Sequence, residues 1–279
     1  MRKSMVSLML VMGLPGVLWA QGTAPTETKA ELEARAAALA KQTQNPVADL
    51  VTVPIQFNWN TGGGLGDQTL QVINVQPVLP LALDDDWLLV SRTIIPLVNV
   101  PLPSGDRSTG IADIQEQMYL TSANPSKVIW GFGPVFSFPT ATNDVLTTGQ
   151  FALGPTFVVL TMPGKWVIGA VANQVWRIAG SDNTTPIDAF FVQPFINYNL
   201  KRGWSISTSP SITADWSAPS GQEWTVPLGM GVSRVSMIGK QPVNLSLQYY
   251  HNIVRPDNAG ADVVRMVFAL LYPVARPKK

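Results

Sequence analysis

The clearest pattern in the chain is the alternation of side chains between Trp204 and Trp216. Every second residue from Trp204 onward is apolar or only weakly polar, whereas the residues between them are hydroxylic until Asp215. Because successive side chains of a β-strand point to opposite faces, this segment predicts a strand with one apolar and one polar face. Trp prefers the two interfaces of a bilayer, so a Trp at each end of the apolar face indicates a strand that crosses a membrane beside a polar lumen.

From Val47 onward, strand patterns follow one another, and the connections between them alternate in length. Long connections rich in Gly, Asp, Ser, Thr and Asn are expected near 60–70, 101–112, 139–150, 179–188, 217–223 and 255–262. Short connections are expected at 84–86, 123–126, 163–165, 201–203 and 239–241. These eleven connections predict twelve strands, and an even number places both ends of the barrel on the side of the short turns.

The tryptophans follow the same two-sided arrangement. Trp87, Trp130, Trp166 and Trp204 come shortly after short connections, and Trp59, Trp176, Trp216 and Trp224 flank long ones. Core tryptophans of a soluble protein would favour strand centres, so this placement predicts an aromatic girdle at both membrane interfaces. We therefore predict an all-β protein, a transmembrane antiparallel β-barrel of about twelve strands over residues 47–273, located in the outer membrane of a Gram-negative cell.

The composition agrees with many strands joined by turns. Only 13% of the 279 residues are charged, against about a quarter in soluble domains, whereas the chain contains 22 Gly and 23 Pro. The chain contains no Cys, which excludes disulfides and thiolate metal sites. Residues 1–20 have the basic start and short apolar core of a secretory signal peptide, and no later apolar run of about 18 residues predicts a spanning helix.

Residues 21–46 predict one short helix ahead of the barrel. Thr28 and Glu31 have the spacing of a capping box, and Asn45-Pro46 is a stop signal. Two arrangements fit this helix: a solvated periplasmic lead-in, or a plug that rests in or under the barrel. At the other end, residues 274–279 predict a short basic tail.

Polar residues that alternate with apolar ones are the candidates for lining a lumen. We also place Arg92, Arg177 and Arg265 inward, because a charge on the lipid face near the bilayer centre costs about 2–4 kcal/mol. The strands near 87–98 and 166–178 are apolar on both faces, so alternation does not assign their facing. The lumen-lining candidates are Gln56, Asn58, Asn74, Gln76, Arg92, Gln193, Asn197, Ser205, Ser207, Ser209, Ser211, Thr213, Asn244, Gln248 and Arg265.

Two features of the sequence do not fit a regular barrel strand. Strict alternation from Asp113 and Gln115 puts Glu116 on the lipid face, which indicates either a different register or a bulge. Prolines also fall within predicted strands, where each removes a hydrogen bond of the ladder and is expected at a bulge or kink. These prolines are Pro77, Pro134, Pro155, Pro194 and Pro210.

An ordered set of short motifs resembles one family of bacterial outer-membrane barrels. The motifs are Gly64–Asp67, Trp130–Pro134 leading to Phe138–Thr142, Ala172–Trp176, Gln193–Leu200, Trp224–Gly229 and Gly239–Asn244. The family is that of the phenol meta-pathway degradation-like, or transporter-like, proteins, many of which carry the label neuromedin U. The resemblance covers the chain from Thr43 to Pro273 and implies an outer-membrane barrel for uptake of small, often aromatic or hydrophobic, compounds. It implies no catalytic residues.

The candidate chemistry is sparse. The single histidine, His251, precedes Asn252, and a Ser-His-Asn arrangement on a barrel wall would resemble the outer-membrane phospholipases, but no serine is marked by spacing as a nucleophile. No group of His, Asp and Glu has metal-ligand spacing, so we expect no metal and no cofactor, and the scattered basic residues argue against nucleic acid.

The function expected from these patterns is passive transport across the outer membrane. An outer-membrane channel or transporter for small neutral or hydrophobic and aromatic solutes would have membrane lipid, lipopolysaccharide and the solute as its partners. The alternatives are a structural barrel with an occluded lumen and a lipid-active enzyme. The acidic residues of the long connections are either solvated or bound through divalent cations to lipopolysaccharide.

Overall fold

The amino-terminal helix begins where the capping signal predicts it. A computed structural model describes residues 28–63, 67–239 and 241–273. In it, α1 spans Lys29–Gln42, the hydroxyl of Thr28 accepts from the backbone N–H of Glu31, and the Glu31 carboxylate accepts from the backbone N–H of Thr28. The hydrogen bonds that the carboxylate accepts from Thr28 hold the pKa of Glu31 below its usual range, the backbone donor being the main cause. Within the described residues, no helix is long and apolar enough to cross a bilayer.

Fifteen strand segments follow the helix and form one antiparallel sheet. They are β1 (Leu50–Thr61), β2 (Leu70–Val75), β3 (Val78–Ala82), β4 (Trp87–Pro101), β5 (Arg107–Ile111), β6 (Ile114–Ser122), β7 (Val128–Phe138), β8 (Gln150–Thr161), β9 (Trp166–Gly180), β10 (Asp188–Asn199), β11 (Trp204–Thr208), β12 (Ile212–Asp215), β13 (Trp224–Ile238), β14 (Gln241–Val254) and β15 (Asp262–Pro273). The predicted signal peptide and basic tail, residues 1–20 and 274–279, lie outside the described residues.

The sheet closes on itself as a barrel of twelve strands, which confirms the predicted fold class. The first strand β1 pairs with the last strand β15 over twelve residue pairs, from Leu50 opposite Pro273 to Thr61 opposite Asp262. The pairs β2/β3, β5/β6 and β11/β12 are each two halves of one barrel strand, because both halves pair with the same neighbouring strand. Three interrupted strands and nine continuous ones make up the wall.

One predicted connection is wrong in its extent. The expected long connection at 101–112 contains the strand β5, which pairs with β4 and leaves only a tight turn at 102–106. The turn is closed by a 2.9 Å hydrogen bond from the N–H of Leu102 to the carbonyl of Asp106, and Gly105 adopts the positive φ that the turn requires. Thr109 and Ile111 are β-branched and continue the ladder, which is why the wall is taller here than expected.

A bulge between β5 and β6 explains the position of Glu116. Leu97 of β4 faces Ile111, whereas Ile94 faces Gln115, so the register shifts by one residue at 112–113. The odd-numbered residues of β5 point outward, and because of the bulge the odd-numbered residues of β6 point inward. Glu116, an even-numbered residue of β6, therefore lies on the outer face of the barrel, as alternation from Asp113 and Gln115 predicts.

Prolines break the hydrogen-bond ladder at a few shared places. Pro77 lies between β2 and β3, and Pro210 lies between β11 and β12, so these two occupy the predicted strand interruptions. Pro134, Pro155 and Pro194 lie within continuous strands, and pairing with one neighbouring strand is interrupted beside each of them, as the loss of an N–H donor predicts. Pro134 of β7 lies directly opposite Pro155 of β8, so the missing donors interrupt the ladder of β7 with β6 and the ladder of β8 with β9.

The two faces of β11 and β14 differ in polarity, with apolar side chains outside and polar side chains inside. On β14, Leu245, Leu247 and Tyr249 are more than half exposed on the outer face, whereas Gln248 and Tyr250 between and beside them are buried inside. The opening pattern of the sequence follows the same rule, since Trp204 and Ile206 are outside and the intervening serines are inside. The barrel interior, which holds the candidate site, is therefore built from the inward residues of all twelve strands.

Candidate functional site

The interior has one polar wall, and the structure places most of the lumen candidates on it. Strands β1, β2, β10, β11, β13, β14 and β15 contribute this wall. The candidates that line cavities there are Gln56, Asn58, Asn74, Gln193, Asn197, Ser207, Ser209, Ser211, Asn244, Gln248 and Arg265. Ser205 is buried against Ser233 and Gln44, and Gln76 and Arg92 lie farther round the barrel. Thr213 is exposed near the rim of the barrel, because β12 ends two residues later, at Asp215, where a long connection begins.

Arg265 is the centre of the polar wall. Its side chain is 7% exposed and donates three hydrogen bonds, from Nε to Asn58 Oδ1 at 3.2 Å, from Nη1 to the carbonyl of Ser209 at 3.0 Å, and from Nη2 to Ser211 Oγ at 3.0 Å. The guanidinium also lies 5.1 Å from the centre of the Tyr250 ring, within the range of a cation–π contact. Arg265 therefore joins β15 to β1 and to the interruption between β11 and β12.

A hydroxyl and amide network surrounds this guanidinium. The Tyr250 hydroxyl donates to Gln248 Oε1 at 3.2 Å and accepts from the backbone N–H of Ser209 at 2.9 Å. The Gln248 amide donates in turn to Ser207 Oγ at 3.2 Å. Because the segment between β11 and β12 has lost its ladder bonds, these side chains satisfy its backbone groups instead.

Arg92 lies inside the barrel on a separate part of the wall. It faces Gln117 of β6 across the ladder, and its Nη2 donates to Gln76 Oε1. The two glutamines are 5% and 2% exposed, whereas Arg92 itself borders a cavity of about 180 Å³. Arg92 is thus hydrogen-bonded to the Gln76 amide and lies at the edge of a cavity.

The opposite wall is apolar toward the short-turn end, where alternation did not assign it, whereas farther along the same strands the inward Gln117, Thr156 and Asn173 are buried polar residues. A cluster formed by inward residues of β4 and β6–β10 fills this side with Val90, Tyr119, Ile129, Val158, Leu160, Val167, Val171 and Phe195. The signal for it was present, because the segments 87–98 and 166–178 are apolar on both faces. Such a strand in a barrel has lipid on one side and an apolar interior on the other, and the structure assigns Leu88 and Val90, with Val167 and Val171, to the interior.

The residues just before β1 enter the barrel. Val47 is 3% exposed and packs in the apolar cluster with Val90 and Tyr119. Pro46 borders the cavity next to Arg92 and the cavity next to Arg265. The amino-terminal segment therefore lies between the apolar wall and the polar wall.

The helix α1 packs at the end of the barrel that carries the short turns. Its buried residues form one cluster with inward residues of the wall, consisting of Ala36, Leu39, Ala40, Leu50, Val235, Ala269 and Leu271. Lys41 Nζ donates to the carbonyls of Met162 and Gly164 at 2.8 and 2.9 Å, and the Gln44 amide exchanges two 3.0 Å hydrogen bonds with Asn199. These contacts fix the helix and the segment that follows it to the wall.

Among the cavities formed by the described residues, three lie beside Arg92 and Arg265. The cavity beside Arg92 has a volume of about 180 Å³, and Arg265 borders both a cavity of about 200 Å³ on the helix side and one of about 340 Å³ on the side of the long connections. The last of these is lined by polar residues such as Asn74 and Asn252 together with Leu70 and Val72. Arg265 therefore stands at the boundary between two cavities at different heights.

The eight tryptophans stand on the outer face in two tiers. Trp87, Trp130, Trp166 and Trp204 lie at the short-turn end, and Trp87 and Trp130 contact each other edge to face at 6.2 Å. Trp59, Trp176, Trp216 and Trp224 lie at the other end, where Trp216 and Trp224 pack at 5.3 Å. Between the tiers, exposed aliphatic and aromatic residues cover the wall.

Glu116 is an exception on that apolar outer face. Its carboxylate accepts hydrogen bonds from Ser91 Oγ at 2.7 Å and from Thr93 Oγ1 at 2.6 Å, both on the adjacent strand β4. Two hydroxyl donors replace part of the hydration that the carboxylate would have in water. The sequence predicts the facing of Glu116, but these partners depend on the register between β4 and β6.

His251 does not form a hydrolase site with a serine. Its Nδ1 lies 2.9 Å from Asp262 Oδ1, and the same carboxylate oxygen accepts from the Tyr249 hydroxyl at 2.6 Å. All three side chains are on the outer face near the long connections, and no serine hydroxyl of the described chain hydrogen-bonds the imidazole. The described residues also contain no group of three or more His, Asp and Glu placed to hold a metal ion.

Comparison with known proteins supports the barrel architecture. No family model matches the chain, and no curated protein matches its sequence. Among solved structures, the COG4313 outer membrane channel from Pseudomonas putida F1 superposes with a TM-score of 0.60 at 12% identity, over 80% of this chain and 95% of that one. The NanC porin superposes with a TM-score of 0.51 at 7% identity, over 80% of this chain and 100% of that one. At these identities the likeness shows the fold alone, so this chain has the same β-barrel fold as those two proteins.

Proposed function

We propose that this protein is an outer-membrane channel for the passive uptake of small neutral or hydrophobic and aromatic solutes. The observation that carries the proposal is the pair of unlike walls inside a closed barrel, with cavities of about 180 to 340 Å³ between them. A solute with an apolar body and a polar group would contact both walls at once. The two similar structures are described as an outer membrane channel and as a porin, which supports the same function.

The outer surface supports a location in the outer membrane. The two tiers of tryptophan and the exposed apolar side chains between them suit the two interfaces and the hydrocarbon core of a bilayer. The membrane lipids and lipopolysaccharide would then be the partners of this surface. The resemblance of the sequence motifs to the phenol meta-pathway degradation-like proteins favours aromatic compounds among the solutes.

The position of the amino-terminal segment supports a plug rather than a solvated lead-in. Val47 packs inside the barrel, and Thr43 and Pro46 border the cavities beside Arg92 and Arg265. A channel of this design has a narrow path past the segment, which suits small solutes. A barrel whose interior stays occluded by the same segment is the second candidate function.

Electrical recording and solute uptake separate these two functions. The purified barrel would be inserted into planar bilayers, and liposomes containing it would be tested for swelling in phenol and in an uncharged sugar of larger size. A channel gives discrete current steps and faster swelling with phenol than with the sugar. Intact, heat-modifiable barrels that insert but give neither current nor swelling would contradict channel function and favour the occluded barrel.

A further inference from the structure

The interior contains two arginines without an acidic partner. Arg92 and Arg265 both point into the barrel, and within the described residues neither one forms an ion pair. Two inward acidic residues of the described chain, Asp113 at the bulge between β5 and β6 and Asp215 at the end of β12, accept hydrogen bonds from backbone N–H groups of the connections at 139–149 and 217–223. The middle of the interior therefore carries an uncompensated positive charge.

The guanidinium of Arg265 has donors to spare. A guanidinium has five N–H groups, and Arg265 uses three of them on Asn58, Ser209 and Ser211. All three acceptors are neutral. Burying a charge without an opposite charge is costly, so a site of this kind gains most from an anionic ligand that accepts the remaining donors.

Unpartnered polar atoms lie in the same cavity. Ser246 is 6% exposed, and its hydroxyl has no hydrogen-bond partner, as is also true of Asn244 Oδ1. Both residues line the cavity of about 200 Å³ that Arg265 borders. A serine hydroxyl can donate to an anion, so Ser246 adds a free donor to those of the guanidinium.

The neighbouring surface suits the rest of such a ligand. Tyr250 stacks near the guanidinium, and the cavity that Arg265 shares with Ser246 includes Pro46, Phe195 and Val267. A carboxylate on Arg265 would leave an attached ring or short chain against these side chains. The geometry therefore matches an amphipathic anion more closely than an uncharged sugar or a free inorganic ion.

From these contacts we infer that the polar wall holds a carboxylate-binding site formed by Arg265 and Ser246, which extends the solutes proposed above to small amphipathic monocarboxylates. The transport part of this inference rests on the proposed channel function, whereas the binding part does not. Arg92 provides a second positive charge in the interior, next to the cavity of about 180 Å³.

Calorimetric titration of the purified barrel with benzoate tests the site directly. Benzyl alcohol, which has the same ring without the charge, is the matched ligand control. Benzoate is expected to bind, and Arg265→Gln is expected to weaken it by about tenfold or more, because a hydrogen bond to a charged group is lost together with the charge. Arg265→Lys should restore part of the affinity, and Arg234→Gln should leave it unchanged, since Arg234 stacks on Trp204 on the outer face.

A second variant guards against misfolding of Arg265→Gln. Ser246→Asp places a carboxylate of the protein itself in the same cavity, so it should abolish benzoate binding while the barrel remains heat-modifiable. The inference is overturned if folded Arg265→Gln or Ser246→Asp binds benzoate as the wild type does, or if the wild type binds benzyl alcohol equally well or binds neither ligand.

Bilayer recordings test the selectivity that follows from the site. In a gradient of potassium chloride, the reversal potential should show a preference for chloride that is lost in Arg265→Gln and kept in Arg234→Gln. Currents without such a preference would contradict the inferred solute class but not the channel. A complete absence of current would contradict the channel, and the benzoate titration would still decide whether the site exists.

Discussion

The guanidinium of Arg265 on β15 donates a 3.0 Å hydrogen bond to the carbonyl of Ser209, in the interruption between β11 and β12. The strands β13 and β14 stand between these two residues in the wall, so the bond crosses the interior instead of joining neighbouring strands. Arg265 therefore holds the interrupted segment together with Tyr250, whose hydroxyl accepts from the backbone N–H of Ser209.

Removal of the amino-terminal segment should widen the passage. Deleting residues 21–44 takes away α1, Thr43 and Gln44, and the last two border the cavities beside Arg92 and Arg265. We expect a several-fold rise in single-channel conductance in planar bilayers with the barrel still folded on heat-modifiability gels. Lys41→Ala is the matched control, because it removes the hydrogen bonds to Met162 and Gly164 but leaves the segment present. Equal conductance of the deletion and the wild type would show that the segment does not obstruct the passage.

The outward facing of Leu247 predicts a position-specific effect of charge. Leu247 is 55% exposed on the outer face, near the middle of β14. Leu247→Arg should lower the free energy of unfolding by about 2–4 kcal/mol if this position is near the bilayer midplane. The measurement is denaturant unfolding from lipid vesicles, with Leu247→Met as the volume-matched control. A loss below about 1 kcal/mol for the arginine variant would argue that this face does not contact hydrocarbon.

Glu116 should lower stability in a bilayer relative to an apolar residue. Its carboxylate faces outward, and Ser91 and Thr93 are its donors. The triple variant Glu116→Leu, Ser91→Ala, Thr93→Val removes the charge together with its partners. We therefore expect its free energy of unfolding from vesicles, measured with denaturant, to be higher by about 1 kcal/mol or more. Glu116→Leu alone leaves two hydroxyls without an acceptor and should gain less. An unchanged or lower stability of the triple variant would show that the carboxylate is stabilising where it lies.

Docking of α1 should weaken in acid. The pKa of Glu31 is held below its usual range by the hydrogen bonds with Thr28, so the capping box is fully formed above the ordinary glutamate pKa and is lost as the pH falls through the lowered value. A spin label at Ala38 should therefore become more mobile as the pH falls below the usual range of a glutamate pKa. Glu31→Gln keeps an acceptor without titrating and should remove this pH dependence. A label whose mobility changes identically in both proteins would exclude Glu31 as the cause.

Much of the architecture follows from the sequence because its determinants are local. The alternation around Ser205 and Ser207, the turn residues and the placement of Trp each report on one strand, and together they predict the number of strands and the facing of the polar wall. The capping box of α1 is equally local. These features need no knowledge of which strands are neighbours.

The remaining features depend on contacts between distant parts of the chain. Val90 and Val171 belong to the interior, but their strands are apolar on both faces, so only the pairing decides their facing. The bonds from Arg265 to Ser209 and Ser211 join residues more than fifty positions apart, and the entry of Val47 into the apolar cluster is likewise non-local. That Pro134 lies opposite Pro155 also cannot be predicted without the register between β7 and β8.

The pairing of β1 with β15 has a kinetic consequence. It joins the two ends of the wall, so it is the contact with the greatest sequence separation and bears the largest loop-closure entropy during folding. Val47 lies three residues before Leu50, the first residue of that seam, and is anchored on the far wall. We expect this anchoring to reduce the entropy lost when β1 pairs with β15. The amino-terminal segment should then speed closure of the barrel as well as occupy its interior. Stopped-flow refolding into vesicles should then show slower closure for Val47→Ala than for the wild type, and equal rates would refute this role.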